Sequence, residues 1–409
     1  MYDQYIKEFA QAQEQKLIDA LGDSREHTDS GEELRFRDDY QRDYARILYS
    51  SSFRRLQGKM QLFEVDPEKF NRNRLTHSLE VAQIARSIAA DLGLQNHVVV
   101  ELAALAHDIG NPPFGHSGEK LLNELSSEIG GYEGNAQALR ILRNLEKKYA
   151  RCAGLDLTHR SLLAVIKYPF KKKEGVEKFL YNDDYKFYKQ LLKDRQLALQ
   201  PGEKTIDAQI MDLADEIAYA AHDLEDALSR NMVTIEDIEY EFRISEEYQD
   251  ALKDFCDIVS TSKEIASQAN LLRSSEEFAM IFRKELTSTI VNRLVRDISV
   301  VTAETEFKEL GFGTLQKLSE GLKKLLFKVI MRKRNILTYE FRGNKIIKEL
   351  YQFYTADDNY KFLSPELKFS LPEKDSKDFK SKKQRAVVDY ISGMMDTFAI
   401  KEWETHCNK

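Results

Sequence analysis

Residues 107–119 read HDIGNPPFGHSGE and place a His-Asp pair, a Pro-Pro turn and a His-x-x-Glu group within thirteen residues. Imidazole nitrogen and carboxylate oxygen together suit a divalent transition ion better than an all-oxygen site does. A metal centre is the first chemistry this stretch suggests. An isolated HD dipeptide is more often a surface pair or a helix cap, so other parts of the chain must supply further ligands.

Two segments offer them. His77 lies on an apolar helical stripe with Val81, Ile84 and Ile88, and Arg74 precedes it by about one turn, where a cation suits a phosphate that also contacts a metal. In residues 207–230, Asp215, Tyr219 and Asp223 are spaced four apart, which lines up a carboxylate, a phenol and a carboxylate along one helix. Asp215 sits among apolar neighbours, and burying it requires a cationic partner that a metal could provide. Gln61 belongs to a polar cluster with Arg54, Arg55 and Lys59. Residues 130–142 (GGYEGNAQALRIL) begin a helix near Asn135, whose N-terminus would offer free N–H groups to anions. Lys167 and Tyr168 stand before Pro169 at the root of a lysine run. His159 and His222 receive no chemical role.

The elements that must position these residues read as helices. The chain has 409 residues, 42% hydrophobic and 32% charged, with 7 prolines and 18 glycines, and long stretches carry apolar residues at helical spacing. Residues 1–45 form a charged leading segment with a polar loop at 23–33, and a basic helix followed by a short extended piece is expected over residues 44–66. The apolar run at 98–106 ends in His107 and Asp108, with Gly110 as its stop. Residues 230–330 read as helical scaffold, 364–385 as a charged loop and 386–403 as one closing helix. Three scattered cysteines exclude a disulfide framework. No apolar run reaches membrane-spanning length and the N-terminus lacks a signal-peptide pattern, so a cytoplasmic protein without membrane association is expected. A net charge of −7 leaves phosphate binding to local basic clusters.

Taken in order, FRRLQGKMQ, NRLTHS, HDIGNPPFGHSGE, YEGNAQ, IKYP and ADEIAYAAHDLED make the chain resemble the HD-domain deoxynucleoside triphosphate triphosphohydrolases, the family of the dGTP triphosphohydrolases. The resemblance covers about residues 40–230 strongly and DYISGMMDTFA more loosely. It implies an all-α fold, an HD-domain helical core with an additional C-terminal helical region. The expected organisation is a leading segment at 1–45, the catalytic core at 46–235 and the C-terminal region at 236–409.

By the same resemblance, His77, His107, Asp108 and Asp215 are the ligands of one divalent ion per active site, Mn²⁺, Mg²⁺ or another first-row metal. His116 and Glu119 are the catalytic pair. Arg74, Asn135, Lys167 and Tyr168 contact phosphates, while Gln61, Tyr219 and Asp223 hold the deoxyribose, with Asn111 beside it. The implied reaction converts dNTPs, dGTP among them, to deoxynucleoside and intact triphosphate. A homo-oligomer, often a hexamer, is also implied.

The nearest rival is an HD-type 5′-deoxynucleotidase or phosphodiesterase, against which the GHSGE, YEGNAQ and IKYP elements argue. A rival of another class is an HD protein that senses dNTPs or binds single-stranded DNA without turnover; such a sensor has no need of His116 and Glu119. Regulation by a dNTP or single-stranded DNA is compatible with the enzyme, and the basic stretch at 323–345 is its best candidate.

Overall fold

The computed structural model describes residues 2–27, 36–63, 72–150, 152–173, 175–268, 274–302 and 307–408. Among the described residues the regular structure is helical apart from two short strands, in keeping with the expected all-α fold. The parts of the 23–33 loop and of the 60–66 extended piece beyond residues 27 and 63 lie outside the described residues.

Three helices form the centre: Arg74–Leu92, His97–Ala106 and Ile206–Ala218, each packed on the other two. Arg74–Leu92 opens with a capping box between Asn73 and Thr76 and closes at Gly93, which takes the left-handed conformation (φ 76°). His97–Ala106 is apolar over most of its surface because it lies in the middle, also contacted by Asp39–Leu48 and His159–Ala164. Its alanines at 103, 104 and 106 are fully buried, and their small side chains permit close helix approach.

The helix ends at Ala106, so His107 caps it and Asp108 falls in the following turn. Gly110 has a different task from the expected helix stop. A Cβ there would collide with the Gly134 carbonyl oxygen and the Ala138 nitrogen, so glycine lets the metal-motif turn press directly on the Gly134–Arg140 helix.

A buried ion network fixes this centre. Arg160, with no exposed surface, donates to Asp207 at 2.8 and 2.9 Å and to Glu14 at 2.9 Å. Glu14 in turn accepts the backbone N–H groups of Gln95 and Asn96 ahead of the His97–Ala106 helix. Arg160→Ala leaves two buried carboxylates without their cation and is expected to lower stability by about 3–5 kcal/mol. Urea denaturation checks this, and an unchanged midpoint would remove the network from the stability argument.

Apolar side chains group into a main core running from Tyr2 to Ile336 and a second core of Phe114, Leu122, Tyr132 and residues from Ile346 to Ala399. The expected boundary at 45/46 falls inside the Asp39–Leu48 helix, and that at 235/236 inside the first turn of Ile235–Ile244.

Several expected elements are subdivided. The basic helix from Tyr44 breaks at Tyr49, after which Ser50 caps a new helix, Ser51–Arg55. The 230–330 scaffold contains an antiparallel hairpin, Ile298–Thr302 with Lys308–Phe312, where the β-branched run ISVVT overrides the helical neighbourhood. The expected loop at 364–385 holds the short Pro365–Phe369 helix and the start of Phe379–Ser392. The closing helix is two, Phe379–Ser392 and Asp396–His406, parted at Gly393. No helix among the described residues is long and apolar enough to cross a membrane.

Candidate metal centre and nucleotide cavity

His77, from the first turn of Arg74–Leu92, His107, from the end of His97–Ala106, and Asp215, from Ile206–Ala218, converge on one point. A nitrogen or oxygen from each lies within 4.8 Å of the others, and all three residues are buried. Asp215 Oδ1 stands 3.0 Å from His77 Nε2 and 3.3 Å from His107 Nε2. His107 Nδ1 donates to the Ala104 carbonyl at 2.6 Å, so in the neutral ring Nε2 presents a lone pair toward those carboxylates. That atom is buried and makes no hydrogen bond among the described residues. Lone pairs facing a carboxylate fit a cation between them, and the donor set suits a first-row ion.

Asp108 stands beside the cluster, its Oδ1 3.5 Å from His107 Nε2 and its Oδ2 2.7 Å from Arg74. Burial works to raise its pKa, but the Arg74 guanidinium beside it is the chief cause that holds it down, at about 2. Asn111 donates to Asp108 Oδ1 at 2.5 Å. Asp215 remains ionised for a similar reason: burial opposes its charge, and the Lys167 ammonium outweighs it.

A cavity of about 380 Å³ opens onto this cluster. It is lined by every expected site residue except His77, which lies beneath it with no exposed surface. Within it, His116 is largely exposed (69%) and its Nδ1 is 3.4 Å from Glu119 Oε2. Glu119 is held from the other side by the Gly134 N–H at 3.0 Å and Lys178 at 3.3 Å. Burial would raise its pKa; hydrogen bonding to His116, the Lys178 charge and the Gly134 N–H lower it to about 2. Glu119 is therefore held in its charged form near neutral pH.

Two of the free N–H groups expected near Asn135 already serve internal carboxylates, and the Asn135 side-chain amide serves one of them as well. Glu119 takes the Gly134 N–H, Glu133 accepts from Ala136, and Asn135 itself donates to Glu133. This helix start orients the Glu119 and Glu133 carboxylates beside the cavity.

In another part of the cavity wall the chain departs from regular spacing. Tyr219–Asp223 is a π-helical turn following Ile206–Ala218, a widened turn of the kind found at functional sites. Both Tyr219 and Asp223 still face the cavity, with the Tyr219 ring 5.0 Å from the His77 ring. Asp223 Oδ1 and both polar side-chain atoms of Gln61 are buried without hydrogen-bond partners among the described residues. Burial pushes the Asp223 carboxyl well above the usual range. These are polar groups in want of a ligand.

Three further residues join the site, none of them expected there from the sequence. Asp212 bridges Lys167 at 2.7 Å and Lys204 at 2.7 Å, one turn before Asp215; its place in the DLAD spacing was the available signal. Lys178 arrives from the segment after the lysine run, which has no periodic pattern to mark it. Lys323 lies over the Tyr219 ring at 4.8 Å. It belongs to the basic 323–345 stretch, where Lys328 and Arg332 instead pair with Glu241.

A helical core that brings histidines and aspartates from separate helices onto one ion site is that of a metal-dependent phosphohydrolase of the HD class. The family model described as the HD domain matches residues 74–220, and that of the phosphohydrolase-associated domain matches 313–405. The chain is 52% identical to deoxyguanosinetriphosphate triphosphohydrolase-like protein 2 of Vibrio cholerae serotype O1, over 100% of this chain and 98% of that one. Deoxyguanosinetriphosphate triphosphohydrolase-like proteins of Shewanella halifaxensis and Shewanella baltica are 33% and 35% identical, over 89% and 90% of this chain and 91% and 93% of theirs. The chain belongs to the deoxyguanosinetriphosphate triphosphohydrolase-like family.

Proposed function

We propose that the protein hydrolyses deoxynucleoside triphosphates, dGTP among them, to the deoxynucleoside and intact inorganic triphosphate. The observation that carries this reading is one cavity that joins the His77–His107–Asp215 cluster to the His116–Glu119 pair and to Gln61 and Asp223, whose buried Gln61 amide atoms and Asp223 Oδ1 have no hydrogen-bond partner among the described residues. A phosphate-only site would have no use for Gln61 and Asp223.

His77, His107, Asp108 and Asp215 would hold one divalent ion. When bound, it supplies Lewis-acid polarisation of a phosphoryl group and acidifies a water. Arg74 and Lys167 offset phosphate charge, while Asn135 and Tyr168 border the triphosphate path. His116 moves the proton, either to the departing 5′-oxygen or from the attacking water, and the Glu119 carboxylate orients its ring. Gln61 and Asp223 bind the sugar hydroxyl, with Asn111 beside them.

Tyr219 excludes ribose by occupying the space a 2′-hydroxyl needs. Tyr219→Ala is expected to raise activity on GTP relative to dGTP by about 10–100-fold. An unchanged ratio would take Tyr219 out of sugar selection.

Ion-exchange analysis of products, with Mn²⁺ or Mg²⁺ and each dNTP singly and mixed, tests the reaction. Deoxynucleoside plus triphosphate supports it. Inorganic phosphate or a nucleoside monophosphate instead would transfer the protein to the nucleotidase or phosphodiesterase reading. Activity confined to mixtures would reveal a regulatory nucleotide.

A further inference from the structure

The turn between the two last helices reaches into the nucleotide cavity's walls. Asp396, the first residue of Asp396–His406, is 3% exposed, and its carboxylate leaves its own helix to serve other segments. Oδ2 accepts the Met60 N–H at 3.0 Å and the Tyr339 hydroxyl at 3.2 Å, while Oδ1 accepts the Phe114 N–H at 3.1 Å. Lys59, 2% exposed, donates to the Asn111 carbonyl at 2.5 Å and to the Ser392 carbonyl at 2.7 Å. The Lys59 carbonyl accepts from Arg74 N at 3.2 Å. Gly58 has no room for a Cβ against the Met395 side chain, so the two segments are pressed together.

Both anchored segments lead directly into the site. Met60 precedes Gln61. Phe114 holds the left-handed conformation (φ 62°) that turns the chain into the Gly115–Leu125 helix bearing His116 and Glu119. A non-glycine residue persists there only where its surroundings fix it.

We propose that Asp396, assisted by Lys59, is a positioning residue that sets the Gln61 segment and the His116 helix relative to one another from the C-terminal domain. Its effect on turnover rests on the reading of the site as a dNTP triphosphohydrolase. A carboxylate suits the task because it only accepts, and two backbone N–H groups and a phenol converge on it. In Asp396→Asn one oxygen becomes an NH₂ group that faces a donor.

The test uses hydrogen–deuterium exchange and turnover on the same preparations of the full chain, wild type, Asp396→Asn and Lys59→Met. Exchange is expected to quicken by about tenfold or more in peptides covering 59–63 and 112–118, and to stay at the wild-type rate in 77–92 and 206–218. Metal content is expected to be unchanged, while kcat falls by about tenfold or more and KM rises, since both the proton-transfer and the sugar-binding segments shift. Unchanged exchange in the two peptides, or exchange quickened throughout the chain, overturns the proposal. So does local quickening with wild-type kcat and KM. Should the wild type release no triphosphate, the reaction reading fails separately, and the exchange pattern alone decides for or against the anchoring. If one variant does not fold, the other gives the same readouts, because each removes a different part of the contact.

Discussion

Replacing His116 by alanine is expected to lower kcat by about 10²–10⁴-fold while leaving metal stoichiometry and the folded state as they are. The separation follows from placement. His116 is largely exposed within the cavity, and its hydrogen-bond partner is Glu119, whereas the ion cluster is buried on three other helical segments. Nothing in the core depends on the imidazole. Glu119 is expected to matter through His116, since its other bonds, to Gly134 and Lys178, hold it ready to orient the ring. Steady-state kinetics together with elemental analysis of the purified variant makes the check. Full turnover in His116→Ala would take it out of the reaction; loss of the metal would make it a ligand instead.

The second large effect is expected at Asp215. One of its oxygens faces both histidines and the other takes Lys167 at 2.8 Å, so Asp215→Asn removes charge from the ion site and from the lysine together. Outer partners of metal ligands already change affinity by about 10–100-fold, and a direct ligand should exceed that. Turnover at saturating Mn²⁺ is expected to fall by about 10³-fold or more, in keeping with a metal contribution of several kcal/mol. Isothermal titration with Mn²⁺ separates this from a folding effect. Wild-type affinity in Asp215→Asn would assign the carboxylate to the Lys167 pair alone. A folding defect is not expected, because Lys167 keeps its bond to Asp212.

The two variants divide the site. His116→Ala should lose proton transfer with the ion in place, and Asp215→Asn should lose the ion with the His116–Glu119 pair in place. A protein that merely binds dNTPs would show no turnover to lose in either, and would retain nucleotide affinity in His116→Ala.

The amino-acid sequence by itself determined the helical class and the local motifs. The periodicity of residues 74–92 and 206–218 marks helices whose apolar faces must meet, and the HDIGNPPFGHSGE stretch carries candidate ligands and its turn together. Most of the candidate residues sit on a regular helix or in a motif that fixes its neighbours, which is why the sequence could offer them together. The spacing was less dependable where the backbone changes register, as in the π-helical turn at Tyr219–Asp223, or where two helices meet at Gly393 without a proline to mark the break.

Tertiary structure alone decided which charges pair. Asp212 between Lys167 and Lys204, Lys178 behind Glu119, and Asp396 beneath Met60 and Phe114 are ordinary charged residues in sequence. The Asp396 bonds cross 336 and 282 residues of chain. Periodicity reports only which face of a helix is buried, over a few turns. Which donor a buried carboxylate finds depends on how distant helices dock, and the cost of leaving such a group unpaired is what makes the docked arrangement specific.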